Sequence, residues 1–449
     1  MTLATLEQIK PKRPGDVEFD EKLLNRHASI AVIGLGYVGL PLALSFAQDG
    51  FDVLGIDVDS ARVEGLLRGH SPVGDVSSAD LVTARESGHL KFESTYHGLP
   101  RADVSIICVP TPCTRNRQPD VSMIAGAARG IAQHLRPGQL IILRSTSYPG
   151  TTGELVLPIL ESGGLSVGRD FFLSFVAERV DPGRKDYTIR NTPVVVGGCE
   201  PESTRRAAKL FEQLGPPIMS VTSPATAEMA KLLENVFRNV NIALVNQLAM
   251  LCDRMGLDVW EVVEAAATKP YGFLPFNPGP GVGGHCIPVD PYYLAWKARE
   301  YDFHMDFIEL AARVNEEMPY HVVTKTLLAL NGQRSRPRGP RVLVLGVTFK
   351  RDIDDYRESP AIKIIQLLMQ HGVKVSYHDP FVPRIAVGGT AFTSRPLSAA
   401  TLKAADCVLI VADHSSIDYH HVVKHARLVM DTRNATRHVE EGRSKIVKL

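Results

Sequence analysis

A cysteine in a glycine-rich segment is the residue of this sequence with the most informative chemistry. Cys286 lies in the segment FNPGPGVGGHCIPVDP, residues 276–291. A thiol can hold an aldehyde as a thiohemiacetal, give up a second hydride to form a thioester, and be released by water. The alternative is a small packed residue in a tight turn, because free cysteines are usually buried and inert. If Cys286 is the nucleophile, one site oxidises an alcohol to an acid in a four-electron reaction.

The neighbours of this cysteine predict how it is presented. The four glycines and two prolines before it let the backbone approach a ligand closely. Asp290 and Pro291 predict a helix there, with the aspartate as N-cap and the proline in the first helical position. A helix N-terminus near the thiol favours the thiolate, which is the nucleophilic form.

A second set of residues predicts a dinucleotide site. A short apolar run leads into Gly34, Gly36 and Gly39 and then into a helical pattern, and a second apolar run ends at Asp57. Glycine-rich turns also occur without cofactors, but here the acid stands where a dinucleotide fold binds the adenosine ribose. The pyrophosphate would lie at the helix N-terminus. Asp57 favours NAD, because a carboxylate repels the 2′-phosphate of NADP, while Arg62 leaves NADP as the alternative.

Three polar side chains share one stripe of a long helix predicted from about residue 224 to residue 255. These residues are Lys231, Asn235 and Arg238, at positions i, i+4 and i+7. They either form internal hydrogen bonds or subunit contacts, or they face an oxygen that gains negative charge during hydride and acyl chemistry. The rest of the helix is apolar on nearly every side, which predicts burial between two lobes and a possible place between two subunits.

Two further loops carry charges at the ends of predicted strands. Glu178 and Arg179 follow one apolar run, although a surface loop would have the same composition. Lys350 and Arg357 precede a helix whose start is marked by a serine cap and a proline. Two cations before a helix N-terminus suit a diphosphate.

The bulk composition excludes several classes of protein. The chain has 449 residues and a net charge of +1, which argues against nucleic-acid or membrane binding driven by a global field. Its six cysteines form no CxxC pairs, so we expect no metal site, no disulfide framework and a reducing compartment. We expect the charged N-terminal segment to be neither a signal peptide nor an anchor, and no stretch of the sequence approaches the roughly 18 apolar residues of a membrane span. We therefore expect a cytoplasmic protein.

Strand-like runs alternate with helical patterns in two parts of the sequence. This alternation predicts an α/β fold with two Rossmann-like doubly wound parallel-sheet domains, joined by a long central helix and a helical middle domain. The second α/β domain has Gly346 after its first strand but no GxGxxG, so it should bind something other than a dinucleotide.

Five motifs, in order, resemble those of the nucleotide-sugar 6-dehydrogenases, the family of UDP-glucose and UDP-N-acetylhexosamine dehydrogenases. They are GLGYVGLPLA, VPTP, KLLENVFRNVNIALVNQ, PGPGVGGHCIPVDPYYLAWKAREY and VLGVTFKRDIDDYRESPA. The resemblance spans about residues 28 to 434. The segment TKPYGFLPFNPGPGVGGHCIPVDP is most similar to UDP-N-acetylglucosamine 6-dehydrogenases, whereas UDP-glucose dehydrogenases more often have GGxCxxKD.

The resemblance implies a role for individual residues. Cys286 would be the nucleophile, Lys231 and Asn235 would stabilise the developing oxyanion, Asp290 would orient or activate water, and Glu178 would assist thioester hydrolysis. The implied NAD-contacting positions are Gly34, Gly36, Tyr37, Val38, Gly39, Asp57, Arg62, Thr111 and Thr146. The implied UDP-sugar-contacting positions are Arg179, Val180, Lys231, Asn235, Arg238, Gly283, Lys350 and Arg357.

The resemblance also implies domains and a reaction. We expect an N-terminal extension at 1–27, an NAD-binding domain at 28–222, a helical dimerisation domain at 223–330, a linker at 331–340 and a UDP-sugar-binding domain at 341–449. The expected homodimer would oxidise UDP-N-acetylglucosamine with two NAD+ and water to the uronic acid, for surface-polysaccharide precursors. UDP-glucose and UDP-N-acetylmannosamine are alternative substrates. A two-electron hydroxyacid dehydrogenase or a nucleotide-sensing subunit without turnover would leave Cys286 without a role.

Overall fold

The computed structural model describes residues 14–74, 76–114, 116–181, 184, 186–284, 287–333 and 339–449. Cys286 and part of the predicted linker therefore lie outside the described residues. The chain divides into two units, Met1–Leu232 and Leu233–Leu449, and the boundary falls within one long helix.

The first unit alternates strands with helices, as the sequence pattern predicts. Its strands are β1 (Ser29–Ile33), β2 (Asp52–Ile56), β3 (Leu90–Glu93), β4 (Val104–Ile107), β5 (Leu140–Leu143), β6 (Phe172–Val176), β7 (Val194–Gly198) and β8 (Ile218–Val221). Its helices are α1 (Pro14–Leu24), α2 (Gly39–Gln48), α3 (Ser60–Leu67), α4 (Ser78–Glu86), α5 (Ser122–Ala132), α6 (Leu157–Glu161) and α7 (Pro201–Glu212), with a 3-10 turn at Leu99–Arg101 and a π-helical turn at Thr151–Val156.

These eight strands form one sheet in the order β3-β2-β1-β4-β5-β6-β7-β8. The neighbouring strands are parallel except β6 and β7, which are antiparallel. Strands β1, β4, β5 and β6 are apolar and buried along almost their whole length, because helices cover both faces of the sheet. The strand order reverses between β1 and β4, and ligands of such sheets bind at the carboxyl ends of the strands beside this point.

The second unit contains the helical segment and a smaller sheet. Its helices are the remainder of α8 (Pro224–Met255), then α9 (Val259–Ala267), α10 (Asp290–Ala298), α11 (Asp306–Asn331), α12 (Pro360–Gln370), α13 (Ala399–Ala404) and α14 (Tyr419–His425), with 3-10 turns at Arg299–Tyr301 and Arg443–Lys445. Its strands are β9 (Arg341–Leu345), β10 (Lys374–His378), β11 (Arg384–Val387), β12 (Thr390–Thr393), β13 (Cys407–Ile410), β14 (Val429–Asp431) and β15 (Ile446–Lys448). Five strands form a parallel sheet in the order β10-β9-β13-β14-β15, and β11 pairs with β12 as an antiparallel hairpin.

The predicted fold class is confirmed, since an eight-stranded, mostly parallel sheet and a five-stranded parallel sheet are separated in sequence by helices. The finer division into three domains stays a prediction. No helix of the described ranges combines the length and the apolar content needed to cross a lipid bilayer.

Two local predictions need correction. The long helix has the predicted bounds, but it is not buried all round, because apolar side chains such as Leu233, Leu244 and Met255 are exposed along it. The aspartate before Pro291 is not the N-cap of its helix: α10 begins at Asp290 itself, with Val289 in the flanking position. The Asp290 carboxylate accepts a hydrogen bond from Asn235 instead.

Candidate nucleotide and catalytic sites

At two positions of the loop after β1, only glycine fits, because any side chain would collide with the backbone. Gly34 has a φ of +93°, and a Cβ there would lie 2.6 Å from the carbonyl oxygen of Cys108. A Cβ on Gly39 would lie 1.8 Å from the carbonyl oxygen of Gly34. Gly36 differs, since a Cβ there would meet nothing within 4 Å. Its missing side chain therefore leaves room for a ligand rather than for another part of the protein.

The N-terminus of α2 faces this loop without a side-chain cap. Val38 occupies the cap position and makes no side-chain hydrogen bond to the first turn. Tyr37, which precedes it, is exposed over 37% of its surface. An uncapped helix N-terminus presents N–H groups and a positive dipole end to an anion, so a pyrophosphate fits here.

Asp57 follows β2 and connects three neighbouring groups. Its carboxylate accepts hydrogen bonds from the backbone N–H of Leu35 at 2.8 Å and of Asp59 at 3.0 Å, and from Nη1 of Arg62 at 2.9 Å. A carboxylate has about four lone-pair positions, so these contacts leave one for a ribose hydroxyl. Burial, and secondarily the charge of Asp57, raises the pKa of the Tyr96 hydroxyl nearby. The predicted acid therefore lies at the glycine loop, and its guanidinium neighbour is paired with it.

Thr111 and Thr146 lie on loops that the structure brings side by side. The Ser145 hydroxyl donates to the carbonyl oxygen of Val109 at 2.7 Å, and the Ser145 N–H donates to that of Ile107 at 3.1 Å. These bonds join the carboxyl ends of β4 and β5. The predicted NAD-contacting residues are thus collected at one edge of the sheet, around the point where the strand order reverses.

Glu178 pairs with an arginine that the sequence interpretation missed. Arg144, directly after β5, is buried, and its Nε and Nη2 donate to Oε2 of Glu178 at 3.1 Å and 2.7 Å. The N–H of Val180 donates to Oε1 at 2.7 Å, which folds the Arg179 turn back on the glutamate. A small pocket of about 10 Å³, enough for about one water molecule, opens beside these residues and Thr192. The available signal was a single arginine at the end of the apolar run LIIL.

Arg144 and Thr192 both line this pocket, and each has one buried polar atom, Nη1 of Arg144 and Oγ1 of Thr192. Neither atom has a hydrogen-bond partner within the described part of the chain. Unpaired buried donors are costly, so a water molecule or a ligand oxygen is expected in the pocket.

A buried glutamate anchors the first turns of α8, which carry Lys231. Glu228 is fully buried, and its carboxylate accepts hydrogen bonds from the N–H of Gly150 at 2.6 Å and of Thr152 at 2.9 Å. Burial raises the pKa of this carboxyl group. Lys231 lies one turn further along α8 and is half-buried. The helix is therefore fixed to the loop that follows Thr146.

Asn235 and Asp290 are brought together, as their shared assignment to the reaction requires. Both side chains are buried, and Nδ2 of Asn235 donates to Oδ2 of Asp290. Arg238, on the same stripe of α8, is exposed in the chain. The stripe therefore contains a buried amide, that of Asn235, and a solvent-facing guanidinium, that of Arg238.

The glycines before Cys286 pack against the loop that carries Lys350. A Cβ on Gly283 would lie 2.6 Å from the carbonyl oxygen of Glu358 and 2.7 Å from Cβ of Phe349. A Cβ on Gly284 would lie 3.0 Å from the Phe349 ring. Both glycines are required by this close packing, which places Gly283 and Gly284 beside the predicted diphosphate loop.

Internal contacts shape that loop. Arg357 forms a bidentate ion pair with Asp355, at 2.9 Å and 2.8 Å, and the Thr348 hydroxyl donates to the carbonyl oxygen of Lys350 at 2.7 Å. The predicted cap of α12 is confirmed, since Oγ of Ser359 accepts from the N–H of Ala361 at 3.2 Å.

A second cation that the sequence interpretation missed lies at the carboxyl edge of the smaller sheet, where the loop with Lys350 also begins. Arg433 follows β14, and its Nε donates to the carbonyl oxygen of Val411 at 2.9 Å. A Cβ on Gly279 would lie 2.6 Å from its Nη1. Arg433 therefore reaches the glycine-rich segment from the second sheet.

Comparison with known proteins identifies the family. The UDP-glucose/GDP-mannose dehydrogenase family matches in three parts: its NAD binding domain at residues 28–215, its central domain at 225–317 and its UDP binding domain at 343–438. The three matches together cover most of the chain. The glycine loop and Asp57 lie within the NAD-binding match, while Lys350 and Arg357 lie within the UDP-binding match.

Individual relatives agree with this assignment. The chain is 38% identical over 358 residues to a UDP-N-acetyl-D-glucosamine 6-dehydrogenase of Pseudomonas aeruginosa, covering 79% of this chain and 83% of the relative. It is 35% identical over 411 residues to a UDP-N-acetyl-D-mannosamine dehydrogenase of Pyrococcus horikoshii, covering 90% and 95%. A solved structure of a UDP-D-ManNAc dehydrogenase from Pyrococcus horikoshii superposes with a TM-score of 0.84 at 33% identity, covering 94% of this chain and 98% of that one. The chain belongs to the UDP-glucose/GDP-mannose dehydrogenase family and is an NAD-dependent nucleotide-sugar dehydrogenase.

Proposed function

We propose that the protein oxidises the C6 hydroxyl of UDP-N-acetylglucosamine to the carboxylic acid, for surface-polysaccharide precursors. The observation that carries this proposal is the packing of Gly283 and Gly284 against Phe349. It joins the segment that contains Cys286 to the loop that contains Lys350 and Arg357. A nucleophile and a diphosphate-binding loop on adjacent segments suit a substrate that carries both a reacting sugar and a diphosphate.

The proposed sequence of steps balances four electrons. The residues around the glycine loop would hold NAD+, which would accept one hydride in each of the two oxidations. In the first, the C6 alcohol loses a hydride and a proton to become an aldehyde, whose carbon is attacked by the Cys286 thiolate. The resulting thiohemiacetal loses the second hydride and becomes a thioester. Water then breaks the C–S bond, which releases the acid and the thiol.

The side chains around these steps have separate proposed roles. Lys231 and Asn235 stabilise the oxyanion that develops at C6, since a cation and an amide donor favour negative charge there. Asp290 accepts the Asn235 hydrogen bond, so it fixes the orientation of that amide while directing water to the thioester. Glu178, held by Arg144, assists the hydrolysis.

The remaining assignments follow the two matched nucleotide-binding regions. We propose that the residues around the glycine loop, with Thr111 and Thr146, contact NAD. Arg179, Val180, Arg238, Gly283, Lys350 and Arg357 are proposed to contact the UDP-sugar. Arg433 joins this second group because it reaches Gly279 from the edge of the smaller sheet. The five-part division at residues 27, 222, 330 and 340 is retained as the proposed domain organisation.

The choice of sugar rests on the sequence around Cys286. The relatives named for N-acetylglucosamine and for N-acetylmannosamine are 38% and 35% identical to this chain, so overall identity does not separate them. The segment with His285 before the cysteine and no lysine before Asp290 favours an N-acetylated sugar over UDP-glucose, the runner-up.

A panel of UDP-sugars tests this choice. We expect kcat/KM for UDP-N-acetylglucosamine to exceed that for UDP-N-acetylmannosamine and UDP-glucose by at least about tenfold, which corresponds to roughly 1.4 kcal/mol. Initial rates of NADH formation give the comparison. A higher kcat/KM with either alternative sugar would replace the proposed substrate.

We further propose that two copies of the chain associate through α8. Its exposed apolar side chains form a stripe consisting of Leu233, Phe237, Leu244, Leu248, Leu251 and Met255. Their spacing of three, four or seven residues keeps them on one side of the helix. A stripe of this length on a monomer would be an exposed apolar patch, and a second copy of the same helix would bury it.

Sedimentation and light scattering test the association. Wild type should have twice the 49.1 kDa mass of the chain. A variant with Leu244→Glu and Leu248→Glu should be monomeric at micromolar concentration, because both charges would lie in the contact. A variant with Gln366→Glu and Gln370→Glu, two exposed positions four residues apart on α12, is the control. A monomeric wild type would refute the dimer.

A further inference from the structure

Buried amide side chains connect α8 to the segment that precedes Cys286. Asn246 on α8 is fully buried, and its Oδ1 accepts the backbone N–H of Gly279 at 2.9 Å. Its Nδ2 donates to Oδ1 of Asn315 on α11 at 2.9 Å. Nδ2 of Asn315 donates to Oδ1 of Asn239, also on α8, at 2.8 Å. Three amides thus link two helices and end on the backbone of a loop.

The three amides lie in apolar surroundings, so they destabilise the fold unless each of them has hydrogen-bond partners. Ala243, Ala311 and Val314 form an apolar cluster between the same two helices. An amide buried there without partners would destabilise the fold, and apolar side chains alone would join two helices more simply. Unlike ordinary packing between two helices, this network also includes a group outside the helices, the N–H of Gly279. Its specific effect is therefore on the loop.

A proline in α11 provides a second contact for the same loop. Pro319 lies inside α11 and has no N–H, so the carbonyl oxygen of Asn315 lacks its usual helical donor. Gly281, with a φ of +127°, lies against this place: a Cβ there would be 3.2 Å from that oxygen and 3.4 Å from Cδ of Pro319. Asn315 therefore meets the loop through its backbone as well as through Asn246.

The helix that holds one end of the loop also holds the other. Asn235 donates to Asp290, and Asn246 accepts from Gly279. The two asparagines are eleven residues apart on α8, which is about three turns and roughly 16 Å, so they lie on the same side. Cys286 belongs to the segment between the two anchored ends.

We propose that Asn246 and Asn315 are positioning residues for Cys286, because they fix the Gly279 end of its loop to α8. This proposal rests on the proposed function, in which Cys286 is the nucleophile. The loop contains four glycines and needs external anchors, because a reacting atom displaced by about 1 Å can lose a hundredfold in rate.

Single alanine variants test this role against a matched asparagine on the same helix. Asn246→Ala should lower kcat with UDP-N-acetylglucosamine at least about tenfold while the KM for NAD stays within about threefold. Hydrogen exchange of a peptide covering 277–284 should accelerate, and alkylation of Cys286 by iodoacetamide should change in rate by at least about threefold. Asn241→Ala is the control, since within the described residues Nδ2 of Asn241 bonds to its own helix, to the carbonyl oxygen of Phe237 at 2.7 Å.

A second variant separates positioning from a general loss of stability. Asn315→Ala keeps Oδ1 of Asn246, the acceptor for the Gly279 N–H, but removes the hydrogen bond that orients Asn246. A smaller loss of about threefold in kcat is therefore expected. The double variant should lose little more than Asn246→Ala, because both residues act through one hydrogen bond. Asn315→Ala also keeps the test available if Asn246→Ala does not fold.

Two results would overturn the proposal: wild-type exchange at 277–284 in folded Asn246→Ala, or an equal kcat loss in Asn241→Ala. Cys286→Ala distinguishes it from the proposed function. If that variant still forms the acid, the nucleophile assignment fails, while the exchange measurement still decides whether Asn246 anchors the loop.

Discussion

Gly34 after β1 and Gly346 after β9 occupy corresponding places in the two sheets of this protein. Their φ values are +93° and +79°. In each case the N–H of the next residue donates to an aspartate after the neighbouring strand, from Leu35 to Asp57 at 2.8 Å and from Val347 to Asp379 at 2.7 Å. The two units thus share one local arrangement at the end of their first strand.

The surroundings of the two aspartates differ. Arg62, the side-chain partner of Asp57, is 35% exposed, and the nearby Gly36 leaves open space. Asp379 is enclosed by His414, whose Nε2 lies 3.1 Å from its Oδ2, and both side chains are fully buried. Asp57 in the first unit is thus available to a ribose, whereas Asp379, its counterpart in the second unit, is a structural anchor. The fold does not specify the ligand; the groups on the following loop do.

If this difference is functional, the second unit must bind its ligand through Lys350 and Arg357. Alanine at either position should raise the UDP-sugar KM at least about tenfold and leave NAD affinity within about threefold, because one charge-assisted contact contributes roughly 1.5–3 kcal/mol. Steady-state kinetics and calorimetry measure both. Lys374→Ala, an exposed cation at the amino end of β10, is the control. Normal UDP-sugar binding by both variants would mean that the ligand lies elsewhere.

Cofactor choice tests the first unit. Wild type should prefer NAD over NADP by at least about tenfold, roughly 1.4 kcal/mol, because Asp57 gains a ribose hydrogen bond with one and repels the phosphate of the other. Asp57→Asn should reduce this preference, since the charge is lost while an acceptor remains. The ratio of kcat/KM for the two cofactors is the measurement. Equal efficiency in wild type would show that Arg62 governs the pocket.

The structural role of Asp379 has a pH signature. Burial alone would raise the pKa of its carboxyl group, but hydrogen bonds from His414 and Val347 outweigh burial and lower it. A folded pKa below the unfolded value of about 3.9 adds stability above that pH, which is lost as the pH falls through the folded pKa. Asp379→Asn should therefore cost about 1 kcal/mol at pH 7, and the difference should shrink below about pH 4.

Urea unfolding at several pH values measures this difference between wild type and variant. The NAD KM of Asp379→Asn should equal that of wild type. A change in NAD affinity, or a stability difference independent of pH, would contradict the contrast between the two aspartates.

Features carried by neighbouring residues could be predicted from the sequence. The glycine loop, Asp57 and the bounds of α8 all follow from local patterns of apolar and small residues. Contacts between distant segments could not. Arg144 meets Glu178 from the adjacent strand, and Asn246 meets Gly279 from another element, so no local spacing shows either pair.

The incorrect cap has the same origin. Aspartate before proline is a local signal for an N-cap, but Asn235, 55 residues earlier, competes for that carboxylate. Strands β3, β7, β8 and β15 and the hairpin β11–β12 were not predicted either, because their pairing is set by the sheets around them. The start of α10 and the pairing of these strands therefore depend on tertiary contacts, which a local sequence pattern does not show.

The stoichiometry of NADH formation tests the four-electron mechanism most directly. With limiting UDP-N-acetylglucosamine, wild type should form two NADH per sugar and release the acid, because the thiol retains the aldehyde for the second hydride transfer. Cys286→Ala should form no acid while it binds NAD and UDP-sugar nearly as wild type does. One NADH per sugar with free aldehyde in solution, or acid formation by Cys286→Ala, would contradict the mechanism.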